Sequence, residues 1–209
     1  MVDLLLCLID DLQRTYPGDT FDEILTGKEY EVALKSASYD FFVFSGGGND
    51  VLGGGALTSF LKHRQDTDPS QPVETWLNMT SVEDAINKLT QGYSTIANET
   101  EVWASGKTIM LMHGYDYPIP RSGEPWLGKP LEDKGYHLAD DAAQISSILT
   151  YLVDRFYGML ASTVAGSSVA RLIDLRNTVN GRWNDELHPK SAASTDIASL
   201  IMNEMTPTV

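Results

Sequence analysis

Along this chain, stretches with helical apolar spacing alternate with short unbroken apolar runs. Val2, Leu5, Leu6, Ile9 and Leu12 recur at helical spacing and predict an amphipathic helix over residues 2–14. The tetrad Pro17-Gly18-Asp19-Thr20 breaks that pattern, and Thr20 is placed to cap a short helix over Phe21–Leu25. Within residues 39–45 the unbroken apolar run Phe41–Phe44 stops just before three glycines, the pattern of a buried strand in a parallel sheet. A glycine-rich loop through Gly55, a short helix near Leu57–Lys62 and a polar, proline-bearing loop over 66–72 follow. Ser81 opens a helix with Val82, Ala85, Ile86, Leu89 and Ile96 on one face. Residues 108–113 and 169–175 read as two further strands, and residues 139–161 as the longest helix, striped by Ile145, Ile148, Leu149, Leu152, Phe156 and Leu160. Residues 190–205 read as a terminal helix. Strands alternating with helices predict an α/β fold with a mainly parallel sheet covered on both faces. No repeat, low-complexity tract or linker divides the chain, so residues 1–209 read as a single domain, of a size that buries a substantial core.

Charge narrows the partners. With 15 Lys and Arg against 29 Asp and Glu, the formal net charge is −14. A nucleic-acid-binding surface neutralises phosphates with cations, so this surface repels DNA, RNA and anionic lipid on average. A neutral or cationic small molecule remains compatible. Cys7 is the only cysteine, which excludes an internal disulfide and leaves the redox compartment open. No apolar run reaches bilayer-spanning length. The apolar start has no basic residue before it and is flanked by Asp3, Asp10 and Asp11, unlike a signal peptide. A cytoplasmic location is then the default expectation, with the compartment otherwise unassigned. N-x-T sequons at Asn78 and Asn98 matter only in a secreted protein.

Two segments carry candidate chemistry. Asn49 and Asp50 follow three glycines at the end of the 39–45 strand, the edge at which open α/β sheets bind ligands. Asn49 offers an amide N–H for an oxyanion, although Asn after glycine is also an ordinary turn residue. Asp185 and His188 stand three residues apart between a predicted strand and a helix. A carboxylate so placed fixes an imidazole's tautomer and stabilises the imidazolium, as a general base requires. The same pair also reads as a helix-capping Asp and a surface His. Gly18 could offer a backbone N–H, or be a simple turn. His113 ends a strand and reads equally as a second-layer histidine; His137 is a weaker candidate and His63 a solvated one. Asp116, between Tyr115 and Tyr117, reads better as part of a packed loop than as a pocket group. Asn-Asp and Asp-x-x-His can both ligate metals, but no further His-rich cluster completes a site, and no cofactor or metal is expected.

Together these segments resemble the SGNH (GDSL-type) hydrolase family of esterases and lipases. Gly46-Gly-Gly-Asn49-Asp50 resembles its Asn block, Asp185-Glu-Leu-His188-Pro189 its Asp-x-x-His block, and Gly18-Asp19-Thr20 its Gly block. The loop Gly114-Tyr-Asp-Tyr-Pro118 is also similar, and the likeness runs in order over residues 18–205. The resemblance implies a three-layer α/β/α sandwich of flavodoxin-like type and hydrolysis of a small-molecule ester by a Ser-His-Asp mechanism. It implies His188 as base, Asp185 as its orienter, and Asn49 and Gly18 as oxyanion donors. The alternative is a noncatalytic protein that binds a small ester or glycan on the same scaffold.

The family's first block, a strand ending in Gly-Asp-Ser, has no match in this chain. In one reading Leu4–Leu8 is that strand and Asp11 stands in the nucleophile's place, with too few residues before Gly18 for the expected helix and strand. In the preferred reading residues 2–14 are the first helix, and the first strand with its serine precedes Met1. By family likeness that strand is central, so its loss would expose two rows of backbone groups. An upstream segment, a neighbouring chain by oligomerisation or strand exchange, or a rearranged sheet would then fill the gap. Ser45 belongs to the Asn block and is not assigned as nucleophile.

Overall fold

Phe41–Phe44 (β2) buries all four side chains, the burial expected of an interior strand covered on both faces. It lies between Leu4–Cys7 (β1) and Ile109–His113 (β3), and β3 in turn pairs with Ala170–Ile173 (β4). Every pairing is parallel and the order is β1-β2-β3-β4. This computed structural model describes residues 4–7 (backbone only), 20–52, 55–104 and 106–205.

The sheet corrects the expectation for the N-terminal segment. Leu4–Cys7 is a strand in register with Phe41–Phe44, not part of a helix over 2–14. The apolar run Leu4-Leu-Leu-Cys-Leu8 fits either period, and the strand partner at β2 decides it. This is the reading in which Leu4–Leu8 supplies the first strand, not the preferred one in which residues 2–14 are a helix. Among the described residues that strand occupies one edge of the sheet, beside β2. Asp11 and Gly18 lie outside the described residues.

Strand alternation sorts the sheet's side chains into two cores. Phe42, Phe44, Met110 and Met112 face Met79–Trp103 (α5) and Ala142–Ala165 (α7), which pack against each other. Phe41, Val43, Leu111 and Ile173 face Ile197 and Ile201 of Ser191–Glu204 (α8), with Met205 just beyond it. Helices thus cover both faces, giving the expected three-layer α/β/α sandwich. The 25-residue α5 exceeds the 24-residue α7, so the longest helix is not the one at 139–161.

Phe21–Gly27 (α1) starts at Thr20, whose N–H donates to the Glu23 carboxylate at 2.7 Å, the backbone half of a capping box. Glu29–Ser36 (α2) follows it and docks on α5 through Tyr30, which donates to Glu99 at 2.6 Å. Gly48–Val51 (α3), Ala56–Phe60 (α4) and Gly128–Asp133 (α6) are short helices inside connecting loops. No helix among the described residues is long and apolar enough to cross a membrane.

Candidate functional site

The connections leaving β2, β3 and β4 all emerge at the carboxyl edge of the sheet, because the strands are parallel. Three glycines let the first of them turn under its neighbours. Gly47 has φ of +87°, and a Cβ there would lie 2.7 Å from a Leu89 methyl; a Cβ on Gly48 would lie 2.8 Å from the Tyr115 hydroxyl. The loop rests on an aromatic cluster: Tyr93 lies 5.3 Å from Phe44 and 4.9 Å from Phe21 between ring centroids. The buried Tyr93 hydroxyl donates to the Gly46 carbonyl at 3.0 Å and accepts from the Gly46 N–H at 3.1 Å, clamping the peptide before the turn. Burial raises the pKa of this phenol and holds it neutral. Asp50 accepts from the Phe21 N–H at 3.0 Å, tying the loop to the start of α1; burial raises its pKa against that bond's pull.

The loop after β4 is held by two buried carboxylates that bond to backbone alone. Asp116 accepts from the N–H groups of Tyr117 and Asn177 on one oxygen (2.7 and 2.6 Å) and of Val179 and Asn180 on the other (2.7 and 3.2 Å). This joins the loop after β3 to the loop after β4, where Asn177 and Asn180 adopt positive φ of 63° and 49°. Glu186 is fully buried and accepts from Arg121 and Gly128 on Oε1 (2.8 and 2.7 Å) and from Trp126 and Leu127 on Oε2 (3.1 and 3.0 Å). Gly128 is required there, since a Cβ would sit 1.7 Å from the Arg121 carbonyl.

With Glu186 turned inward, Asp185 and His188 turn outward together. The His188 Nδ1–H donates to Asp185 Oδ2 at 2.8 Å, while Asp185 Oδ1 accepts the N–H groups of Leu187 and His188 at 2.9 and 2.8 Å. Burial opposes the charge on Asp185, but these backbone bonds and the imidazole outweigh it and bring its pKa down to about 2. An ionised carboxylate only accepts, so the shared proton sits on Nδ1, leaving Nε2 as the lone-pair nitrogen. Asp185 is the only side chain hydrogen-bonded to the ring among the described residues.

Asn49 and His188 line one cavity of about 160 Å³. Its other walls are the glycines 46–48, Leu52, Tyr115, Asp116, Pro118, Trp183 and Leu187. Segments nearly 140 residues apart in sequence thus meet at one place. Asp116 borders this cavity, yet its four N–H bonds make it a loop anchor. His113 is buried and does not line the cavity; its Nδ1–H donates to the Gly114 carbonyl at 3.0 Å and burial lowers its pKa. His63 and His137 are exposed and stand apart. Ser45 Oγ lies 3.4 Å from the Tyr115 hydroxyl, at the cavity's root. Among the described residues no three His, Cys, Asp or Glu side chains form a metal-holding group.

Sequence reasoning missed Glu186, Tyr93 and Trp183. Glu186 was visible only as a second acid inside Asp185-Glu-Leu-His188, Tyr93 only as an aromatic on a helix face, and Trp183 only as an aromatic near that block.

No protein-family model matches the chain, and no curated protein matches it by sequence. The fold is similar to that of an extracellular lipase from Streptomyces rimosus, with a TM-score of 0.56 at 15% identity over 90% of this chain and 77% of the lipase. At that identity the likeness is one of fold.

Proposed function

We propose that the protein is an ester hydrolase of the SGNH kind in which His188 is the base, Asp185 its orienter, and Asn49 with the Gly18 N–H the oxyanion donors. One observation carries this reading: a carboxylate-held imidazole and an amide side chain face the same small cavity at the carboxyl edge of a parallel sheet. His188 Nε2 takes the proton of the attacking hydroxyl as a C–O bond forms at the ester carbonyl. The carbonyl electron pair moves onto the oxygen, which Asn49 and Gly18 stabilise. Collapse breaks the ester C–O bond, and the departing alkoxide takes the proton back from His188.

In the family's mechanism the first hydroxyl is a serine's, and a water repeats the sequence on the acyl-enzyme. No serine hydroxyl is hydrogen-bonded to His188 among the described residues, which favours a second reading, a binding protein without turnover. Hydrolysis of p-nitrophenyl acetate, with and without a fluorophosphonate label, separates the cases. The proposal expects turnover that falls about 10²–10⁴-fold in His188→Ala and 10²–10³-fold in kcat in Asn49→Ala. A labelled serine identifies the nucleophile. No turnover even at high protein concentration sinks the catalytic reading in favour of binding.

A further inference from the structure

The cavity of Asn49 and His188 carries charge of one sign. Asp116 borders it, Asp185 stands 2.8 Å behind the His188 imidazole, and no Lys or Arg lines it among the described residues. The arginines of the surrounding loops do not offset these acids. Arg176 is paired with Asp174 and Asp154, and Arg182 with Asp196. Arg121 donates to the Trp183 and Asn184 carbonyls and is balanced by Glu186, which grips its own backbone N–H. The formal charge of the whole chain, −14, gives the long-range field the same sign.

The two carboxylates have charge to offer but almost no hydrogen-bonding capacity. A carboxylate has about four lone-pair sites. Asp116 fills them with the N–H groups of Tyr117, Asn177, Val179 and Asn180. Asp185 accepts from the Leu187 and His188 N–H groups and from the imidazole. A cation in the cavity is therefore attracted by their field and not by an open acceptor. A primary ammonium brings N–H donors that need acceptors once they leave water. A quaternary ammonium brings none and presents methyl groups instead. The other walls suit methyls: Leu52 and Leu187 are apolar, and Tyr115 and Trp183 are aromatic, the residue types that attract such cations.

We propose that the substrate of this site is an ester that carries a quaternary ammonium group, held between the aromatic and apolar walls in the field of Asp116 and Asp185. The inference rests on the ester-hydrolase reading for the reacting end, whereas recognition of the cation stands on the charge and the walls of the cavity.

Calorimetry on the intact protein at neutral pH compares choline with its uncharged carbon isostere, 3,3-dimethylbutan-1-ol, and with protonated 2-aminoethanol. Choline should bind about 10–100-fold more tightly than the isostere, and more tightly than 2-aminoethanol. Leu187→Lys sets a positive charge into the cavity wall at a partly buried position and should abolish the preference for choline. Ala198→Lys adds the same charge at an exposed position of α8, outside the lining, and leaves the preference intact. Tyr115→Leu removes an aromatic wall without changing the charge and should weaken the preference, which covers a failure of Leu187→Lys to fold. No choline binding, equal affinity for choline and its isostere, 2-aminoethanol binding as tightly as choline, or a preference that neither cavity variant alters overturns the proposal. Turnover is read in parallel, with kcat/KM for acetylcholine exceeding that for 3,3-dimethylbutyl acetate by a similar factor. A preference for choline without hydrolysis of either ester removes the catalytic reading and leaves the cation site. Hydrolysis of both esters with equal kcat/KM does the opposite.

Discussion

Replacing Glu186 by Gln should cost this fold several kcal/mol, because the substitution changes only what the carboxylate can accept. In the native loop each oxygen takes two backbone N–H groups, at 2.7–3.1 Å, with the side chain fully buried. Gln keeps one acceptor oxygen and turns an NH₂ toward the other two donors. Two buried N–H groups then lose their acceptor, at ~1–3 kcal/mol each. The neutral side chain is cheaper to bury than the carboxylate, which works in the other direction. That gain is limited here, since four inward-pointing N–H dipoles already solvate the charge. The net expectation is a loss of roughly 2–6 kcal/mol. Urea unfolding followed by tryptophan fluorescence should show the midpoint falling by about 1–2 M at an unchanged slope of roughly 2–3 kcal/mol/M. Glu132→Gln, a partly exposed carboxylate on α6 that accepts from Ser122 and Gly123, serves as the control and should move the midpoint little. A shift in Glu186→Gln of under about 0.3 M would refute the reasoning, because the four bonds would then be worth no more than solvent-exposed ones.

Two further perturbations probe the other supports of the site. Gly47→Ala forces a Cβ into a positive-φ residue against Leu89 and should destabilise the protein by ~1–3 kcal/mol, read by thermal melting; a melting point within error of the parent would show that the loop relaxes at no cost. The Asp185 carboxyl, held at about 2 against an ordinary 3.8, contributes stability that is complete above pH 3.8 and disappears as pH falls toward 2. Melting curves across that window should therefore drop more steeply for the native protein than for Asp185→Asn, by an amount kept modest by partial exposure, and parallel curves would disprove the linkage.

What was legible in the sequence and what was not divides along physical lines. Asn49 and the Asp185–His188 pair follow strands whose apolar runs are unmistakable, and a parallel sheet delivers every such loop to one edge. Their convergence on one cavity follows from that. The segment at residues 2–14 went wrong because an apolar run as short as Leu4–Leu8 satisfies both periods. Only the partner strand at Phe41–Phe44 chooses between them. The backbone grips of Glu186 and of Asp116, the latter legible only as part of a packed loop, were hidden for another reason. An acid that bonds to backbone N–H groups leaves no complementary residue for a reader of sequence to pair with it. The helices α2, α3 and α6 are too short or too interrupted by glycine and proline to carry a periodic signal.

The anchoring of these loops through main-chain groups has a consequence for how the protein can change. A carboxylate that grips N–H groups recognises that a peptide is present, not which side chain it bears. Any residue but proline supplies the donor, so the grip of Asp116 and Glu186 leaves the choice of each held residue to its other contacts while the path stays fixed. The exposed Trp126 is free to vary in this way, whereas Gly128 is not, for want of space, nor are Leu127 and Val179, whose side chains are buried in the core. Two acids thereby separate the shape of the cavity's rim from its composition. Variation among homologous chains should fall on the exposed gripped residues and spare the grips.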